Sequence, residues 1–262
     1  MSHRAKLRPL TLIPIRIPML RVGQNIGEVI SEALEKQELR VSDGNVIAVA
    51  SKVVSICQSK IVNLSEVKPS RKAEKLGVKW KMDKRLAQVV MNEADKILGG
   101  VQGFMLTLRN NILTANAGVD QKNSPPGTAT LWPNNPDKSA KELQTFLKTR
   151  YGFDVGVVIV DSRVTPLRLG TTGLAIGLSG FSPVRDERGQ PDLYGRLIRF
   201  TQTNIADDLA ASAYLLMGET KERVGAVLIR NANVKVNKSF NGKKAKLSLD
   251  RCLIARNLKT AL

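Results

Sequence analysis

The chain has 262 residues, 42% of them hydrophobic, enough for one large domain or two small ones with a real core. Lys and Arg number 41 against 23 Asp and Glu, and the formal net charge of +18 makes a field that attracts phosphates, carboxylates, nucleotides or nucleic acid. The single histidine is His3, beside a terminus, which excludes an internal Ser-His-Asp or Cys-His centre and a histidine-based zinc site, and leaves carboxylates, Lys, Arg, hydroxyls, backbone and hard metal ions.

Thr11 to Ile17 reads as an apolar strand. The surrounding stretch Leu10 to Leu20 has a faint leader-like look, but Pro14, Arg16 and Pro18 interrupt it. Ile26 to Leu34 has helical spacing. After the turn residues Ser42-Asp43-Gly44-Asn45, the β-branched run Val46 to Val54 predicts a strand. Leu64 to Lys84 is polar and basic and reads as surface. Lys84 to Leu98 has helical periodicity through Leu86, Val89, Val90 and Ile97. Phe104 to Leu108 and Ile112 to Ala117 flank Arg109-Asn110-Asn111 and predict a hairpin. Gln121 to Pro136 is a Pro/Asn/Gly loop, and Lys138 to Thr149 an amphipathic helix. Val155 to Val160 is a continuous apolar strand ending at Asp161-Ser162. Leu169 to Ser182 is rich in glycine and small residues; within it, Gly170-Thr171-Thr172-Gly173 reads equally as an anion-binding turn or a tight connection. Ile198 to Met217 predicts a long helix and Val224 to Ile229 a strand. This alternation argues for a mixed α/β class. Asn231 to Leu262 holds eight basic residues and one acid, Asp250, a basic tail or an added surface element.

No apolar run approaches the roughly 20 residues that span a bilayer, so no membrane role is expected. Cys57 and Cys252 form no CxxC and read as reduced thiols of a cytoplasmic protein. No P-loop and no GxGxxG after a strand is present, so a standard nucleotide fold is unsupported.

Acids are scarce, and three of them sit where the chain changes direction. Asp120 opens the Pro-rich loop, Asp161 ends an apolar strand, where functional side chains are commonly presented, and Glu219 follows the long helix in Met217-Gly218-Glu219-Thr220. A lone Asp after a strand is commonly only a turn or cap residue. Three such acids, with Ser162 adding a hydroxyl, suit an oxygen-ligand site for magnesium or manganese.

Together these segments resemble the coenzyme F420-0:L-glutamate ligase family. The resemblance is carried by Leu12-Ile13-Pro14-Ile15 with Ile17-Pro18, and by Ser51-Lys52-Val53-Val54-Ser55. Its strongest block is Ala115-Asn116-Ala117-Gly118-Val119-Asp120, followed by Asn123, Pro126 and Gly127. Pro133 to Ala140 (PNNPDKSA) resembles the family's LPxDPDxSA. Val160-Asp161-Ser162, Ala175-Ile176-Gly177, Asp192 to Arg196, Ala206 to Ala211 and Leu216-Met217-Gly218-Glu219 follow in order. It covers about residues 11–230 and leaves the basic extension 231–262 outside, so the expected organisation is a ligase-like domain over 1–230 plus that extension.

The resemblance implies an intertwined homodimer and GTP-dependent amide formation, with two Mg²⁺ or Mn²⁺ ions per site and K⁺ as a further candidate ion. The acceptor carboxylate is phosphorylated by the γ-phosphate of GTP, and the amine of L-glutamate then displaces phosphate. Carried over by motif, Asp120 and Asp161 are the catalytic carboxylates and hold the first metal. Ser162 and Glu219 help hold the second. Ile17, Pro18, Met19, Leu20, Ser51, Lys52, Asn123, Met217, Gly218, Glu219 and Thr220 lie along the nucleotide.

Three positions depart from the family pattern: the glycine usual before Ile17-Pro18 is replaced or deleted near Arg16, and two phosphate-contact positions change. Ile56 stands where a phosphate-contacting lysine is usual, with Lys60 nearby in sequence. Thr165 stands where an arginine is usual, with Arg163 and Arg168 as possible substitutes. Metal positions are retained while phosphate-contact positions change, which leaves open the same chemistry on another acceptor, such as a folate or pterin, or with another nucleotide. A third reading is a basic binding protein on the same fold that has lost catalysis. Its aromatic content of 4% gives few stacking platforms for single-stranded nucleic acid, while its charge favours phosphate contact.

Overall fold

A computed structural model describes residues 8–258; His3, Arg4, Lys6 and the last four residues of the basic extension lie outside the described residues. The chain runs β1 (Thr11–Arg16), α1 (Ile26–Lys36), β2 (Val46–Ala50), α2 (Ser51–Cys57) and β3 (Ile61–Asn63). The helices α3 (Arg71–Trp80) and α4 (Lys84–Glu93) and the meander β4 (Lys96–Val101), β5 (Phe104–Arg109) and β6 (Ile112–Ala115) follow. Then come β7 (Thr128–Thr130), α5 (Pro136–Tyr151), β8 (Gly156–Val164), β9 (Thr171–Phe181) and the ribbon β10 (Val184–Asp186) and β11 (Gln202–Asn204). Last are α6 (Ile205–Met217), β12 (Val224–Arg230), β13 (Val236–Asn241) and α7 (Leu253–Leu258). The class is mixed α/β, as expected.

The central sheet has the order β1-β12-β2-β8-β9-β13. Its strands read as unbroken apolar runs because both faces are covered. On β2, β8 and β12, residues such as Ile47, Val157 and Leu228 face a core shared with Val29, Leu34, Leu143 and Leu147 of α1 and α5. Their alternates Ala48, Val158 and Val227 face Leu209, Ala210 and Ala213 of α6. A separate core, built on Leu64, Ala73, Trp80, Val90, Met105 and Leu131, fills a second lobe under α3 and α4.

Strand direction is what positions the site. β2 and β8 are parallel, with Ala50 opposite Val160, whereas β12 is antiparallel to both β1 and β2, and β9 to β8. The ends of β1 and β2, the last residues of the buried part of β8, and the starts of β9 and β12 therefore share one edge.

Several elements differ from expectation, each for a physical reason. The run Val46 to Val54 is a strand only to Ala50; Ser51 starts α2, whose Val53 and Val54 pack into the core and override their β propensity. The basic stretch 64–84 contains α3, whose buried stripe Ala73, Gly77 and Trp80 was masked by its charged outer face. The predicted helix 84–98 ends at Glu93, and Lys96 begins a strand. The predicted helix 198–217 starts only at Ile205, where the Asn204 side chain accepts from the Asp207 amide at 3.2 Å. β8 continues past Val160 to Val164, and the small-residue stretch is β9. A Cβ on Gly173 would stand 2.4 Å from the Ala210 carbonyl oxygen, so this glycine serves the close approach of α6. The hairpin at 109–111 forms as expected, with Asn110 and Asn111 both left-handed.

α4 tests the local logic. Its N-cap Asp83 accepts from the Arg85 amide at 2.7 Å, and the Arg85 guanidinium beside it lowers the carboxyl pKa to about 2. We expect Asp83→Ala to lower stability at neutral pH by about 1 kcal/mol. The folded pKa lies below the ordinary 3.8, so the stabilisation is present above 3.8 and lost as pH falls toward about 2. Urea titrations of the pair across that range should show the gap between them closing.

Candidate active site

The parallel pairing of β2 and β8 sets Ser51 and Asp161 side by side at adjacent strand ends. Asp161 accepts from the Ser162 amide at 2.9 Å through one oxygen and from the Trp132 indole N–H through the other. Burial pushes its carboxyl pKa up, against the bonds from Ser162, Trp132 and the Ser51 hydroxyl, and the nearby Asp120 charge pushes it further. No lysine or arginine forms an ion pair with it among the described residues.

Asp120 arrives from the second lobe. Its backbone forms a bridge with Thr130, donating at 3.0 Å and accepting at 2.8 Å, and this holds the start of the Pro-rich loop. Lys52, in the first turn of α2, donates to Asp120 Oδ2 at 2.6 Å and also to the Lys122 carbonyl. Lys122 spans from that loop to Glu219, which the Tyr214 hydroxyl also meets; Tyr214 stands 2.6 Å from Thr171 Oγ1. Burial pulls the Glu219 pKa up, but Lys122 and Tyr214 together outweigh it and the net direction is down. The bond to Glu219 raises Lys122 in turn. Asn123 closes the ring by donating to the Thr220 carbonyl at 2.8 Å.

Three consecutive left-handed residues, Asn116, Ala117 and Gly118, turn the chain toward Asp120. At Gly118 a Cβ would stand 2.1 Å from Trp132 Nε1, so only glycine lets the indole reach Asp161. The Asn116 side chain accepts from the Met105 amide at 2.8 Å, and the Ala117 amide donates to Thr107 Oγ1 at 2.8 Å. Buried Arg109 donates to the Ala117 carbonyl at 2.9 Å, pairs with Glu93, and lies 5.6 Å from the Trp132 ring centroid.

The candidate residues group unevenly. Asp120, Asp161, Glu219, Ser51, Lys52, Asn123 and Thr220 gather at the one edge. Ser162 adjoins them, with a backbone contact to Asp161. Ile17 and Met217 are buried in the two cores, so only their backbone faces this edge, while Pro18 and Met19 are exposed and Leu20 packs against the core. Gly218 ends α6, and the Thr220 amide donates to Glu222 at 2.8 Å. The guanidinium of Arg163, one of the substitutes considered for the arginine at Thr165, lies 3.5 Å from Asp207. Lys122, Tyr214, Trp132 and Arg109 were not anticipated. Lys122 could have been found, because it lies two residues beyond Asp120 in the same loop. Tyr214 and Arg109 carry no local signal.

Among the described residues no three His, Cys, Asp or Glu side chains form a ready cage for a metal. The donors are nonetheless all oxygens, which suits hard divalent cations. The half-buried Asp161 carboxylate facing Asp120, with no cation paired to it among the described residues, is an arrangement that such an ion would relieve. Cys57 is half-buried, and burial pushes its thiol up to about 11, so it takes no part.

A sequence model of the family described as F420-0:Gamma-glutamyl ligase matches residues 14–231. A coenzyme F420:L-glutamate ligase of Methanopyrus kandleri is 37% identical over 228 residues, 87% of this chain and 88% of the relative. The ligase of the same name from Methanothermobacter thermautotrophicus is 35% identical over 82% of this chain and 85% of its own length. That from Methanocaldococcus jannaschii is 34% identical over 87% and 90%.

Arg109 supports both the loop carrying Asp120 and the indole on Asp161. We expect Arg109→Met to leave the half-buried Glu93 without its cation and the Ala117 carbonyl without its donor, and to destabilise the protein by about 3 kcal/mol. Denaturant midpoints measure this; a loss under about 1 kcal/mol would remove Arg109 from the supporting role.

Proposed function

The chain belongs to the F420-0:Gamma-glutamyl ligase family, and on that premise we propose that it joins L-glutamate to coenzyme F420-0 through a γ-glutamyl amide bond, with GTP as phosphate donor. The observation that carries this reading is the meeting of three carboxylates and two lysines, from both lobes, at one sheet edge inside the matched region.

A carboxylate is a poor electrophile, and its attack on a triphosphate brings anions together. The acceptor carboxylate attacks the γ-phosphorus, GDP leaves, and the amine of glutamate then attacks the acyl carbon and expels phosphate. Asp120 and Asp161 would hold one Mg²⁺ or Mn²⁺ ion, and Glu219 and Ser162 a second. Bound there, such ions supply charge neutralisation and alignment of the reacting oxygens. Lys52 and Lys122, now on Asp120 and Glu219, are the ammonium groups within reach of phosphate oxygens at this edge. Lys122 thus offers a positive charge that the departures at Ile56 and Thr165 remove. The backbone of Ile17 to Leu20, with Ser51 and Asn123, offers neutral donors and acceptors for the nucleotide.

A homodimer is supported by large apolar side chains left in solvent on two connections, Leu167 and Leu169 between β8 and β9, and Leu193, Tyr194, Leu197 and Phe200 between β10 and β11. Free thiols and the use of GTP fit a cytoplasmic enzyme. Among the described residues no helix is long and apolar enough to cross a membrane.

Incubation with GTP, Mg²⁺ or Mn²⁺, glutamate and F420-0 should add one glutamyl unit, read by mass spectrometry. A gain on dihydropteroate or tetrahydrofolate but not on F420-0 would move the acceptor to the pterins. Asp161→Asn should keep the fold by circular dichroism and lose turnover by about a hundredfold or more. An active variant would take Asp161 out of the reaction.

A further inference from the structure

The family match ends at residue 231, yet the chain beyond it is built into the fold. β13 pairs with β9, Val236 opposite Phe181 and Asn241 opposite Ser179, and so runs back toward the edge where β9 begins. The Gly242 amide then donates to Asp137 Oδ1 at 2.9 Å, an oxygen that also accepts from the Leu178 amide at 2.9 Å. The Asn111 side chain donates to the Leu247 carbonyl. This clasp lays Lys243 and Lys246 over a cavity of about 250 Å³ whose other walls include Asn110, Trp132 and Asn135.

We propose that this cavity binds a carboxylate or phosphate group of one of the two molecules being joined, and that Lys243 and Lys246 are its charged wall. The assignment rests on the ligase reading above. Lys243 and Lys246 form no ion pair among the described residues. The one acid in the wall, Asp137, already accepts two backbone N–H groups through one oxygen. The first turn of the 16-residue α5 opens beside the cavity and adds the positive end of its dipole. Size narrows the occupant: about 250 Å³ is below the usual range for a drug-sized ligand and suits a single anionic group or a molecule the size of glutamate. Position ties it to the reaction, because Trp132 lines this cavity and also donates to Asp161. A second cavity of about 240 Å³ shares Ile112, Ile176 and Lys246 with it and is walled by Leu113, Leu174 and Leu249, a place for an apolar portion of the same molecule.

The test is steady-state ligation by the full chain with Lys243→Ala/Lys246→Ala. KM for glutamate, for F420-0 and for GTP are measured separately, and glutamate and F420-0 binding are followed by calorimetry. Loss of two charge-assisted contacts should raise KM for one of the two joined molecules by about tenfold or more, with kcat and the GTP KM little changed. The substrate affected identifies the source of the anion. The double Lys→Arg variant should restore KM. Lys244→Ala should behave as wild type, since its ammonium lies over Phe240 at 5.2 Å and does not line the cavity. Unchanged KM and affinity for both molecules, in an active enzyme, would overturn the proposal while the ligase reading stands. If the wild type forms no amide yet binds glutamate or F420-0 only with both lysines present, the cavity stands and the ligase reading falls. Absence of turnover together with absence of lysine-dependent binding removes both.

Discussion

The parallel register between β2 and β8 is the constraint on which the rest of the site depends. It is the one parallel pair in a six-stranded sheet, and it brings two strand ends distant in sequence to the same edge. The antiparallel neighbours follow from it: β12 must start where β2 ends, so the turn carrying Glu219 returns beside Ser51 and Asp161. The pairing is stabilised by burial on both faces, since Ala48, Val49, Val158 and Ile159 are all fully enclosed between α1 and α5 on one side and α6 on the other. A slip of one residue would turn every one of these side chains to the opposite face and would part Ser51 from Asp161.

The second lobe contributes through a relay of packed and charged groups. Its core fixes Arg109, which holds the Ala117 carbonyl and lies over Trp132; the indole in turn meets Asp161. Asp120, at the end of the left-handed turn, reaches across to Lys52 of the central domain. The site therefore closes only when both lobes are folded and docked. Lys52 and Lys122 pair with two of the three carboxylates, while half-buried Asp161 has no cation paired to it among the described residues. The edge thus gathers carboxylates within a chain whose overall charge of +18 favours anions.

The mixed α/β class, the apolar strands and the identity of the acidic residues were legible in the sequence, because periodicity and chain-reversal signals are local. The helix α3 is hidden in the sequence because a narrow buried stripe does not show when the charged exposed face dominates composition; Ala73, Gly77 and Trp80 matter only once a sheet lies beneath them. The boundary at Ser51 was missed because Val53 and Val54 carry strand propensity that packing overrides.

By itself, the sequence determined which chemistry was available: one histidine at a terminus, scarce acids at turns, and ordered blocks resembling one ligase family. The tertiary structure alone decided that Lys122 and Tyr214 hold Glu219, that Trp132 binds Asp161, that Arg163 turns to Asp207, and that the basic extension becomes a sheet strand followed by a turn that lays Lys243 and Lys246 over a cavity. The physical reason is range. Residue type and spacing report interactions within a few positions along the chain, whereas Lys122 and Glu219 are 97 residues apart and meet only because strand pairing and lobe docking bring them together.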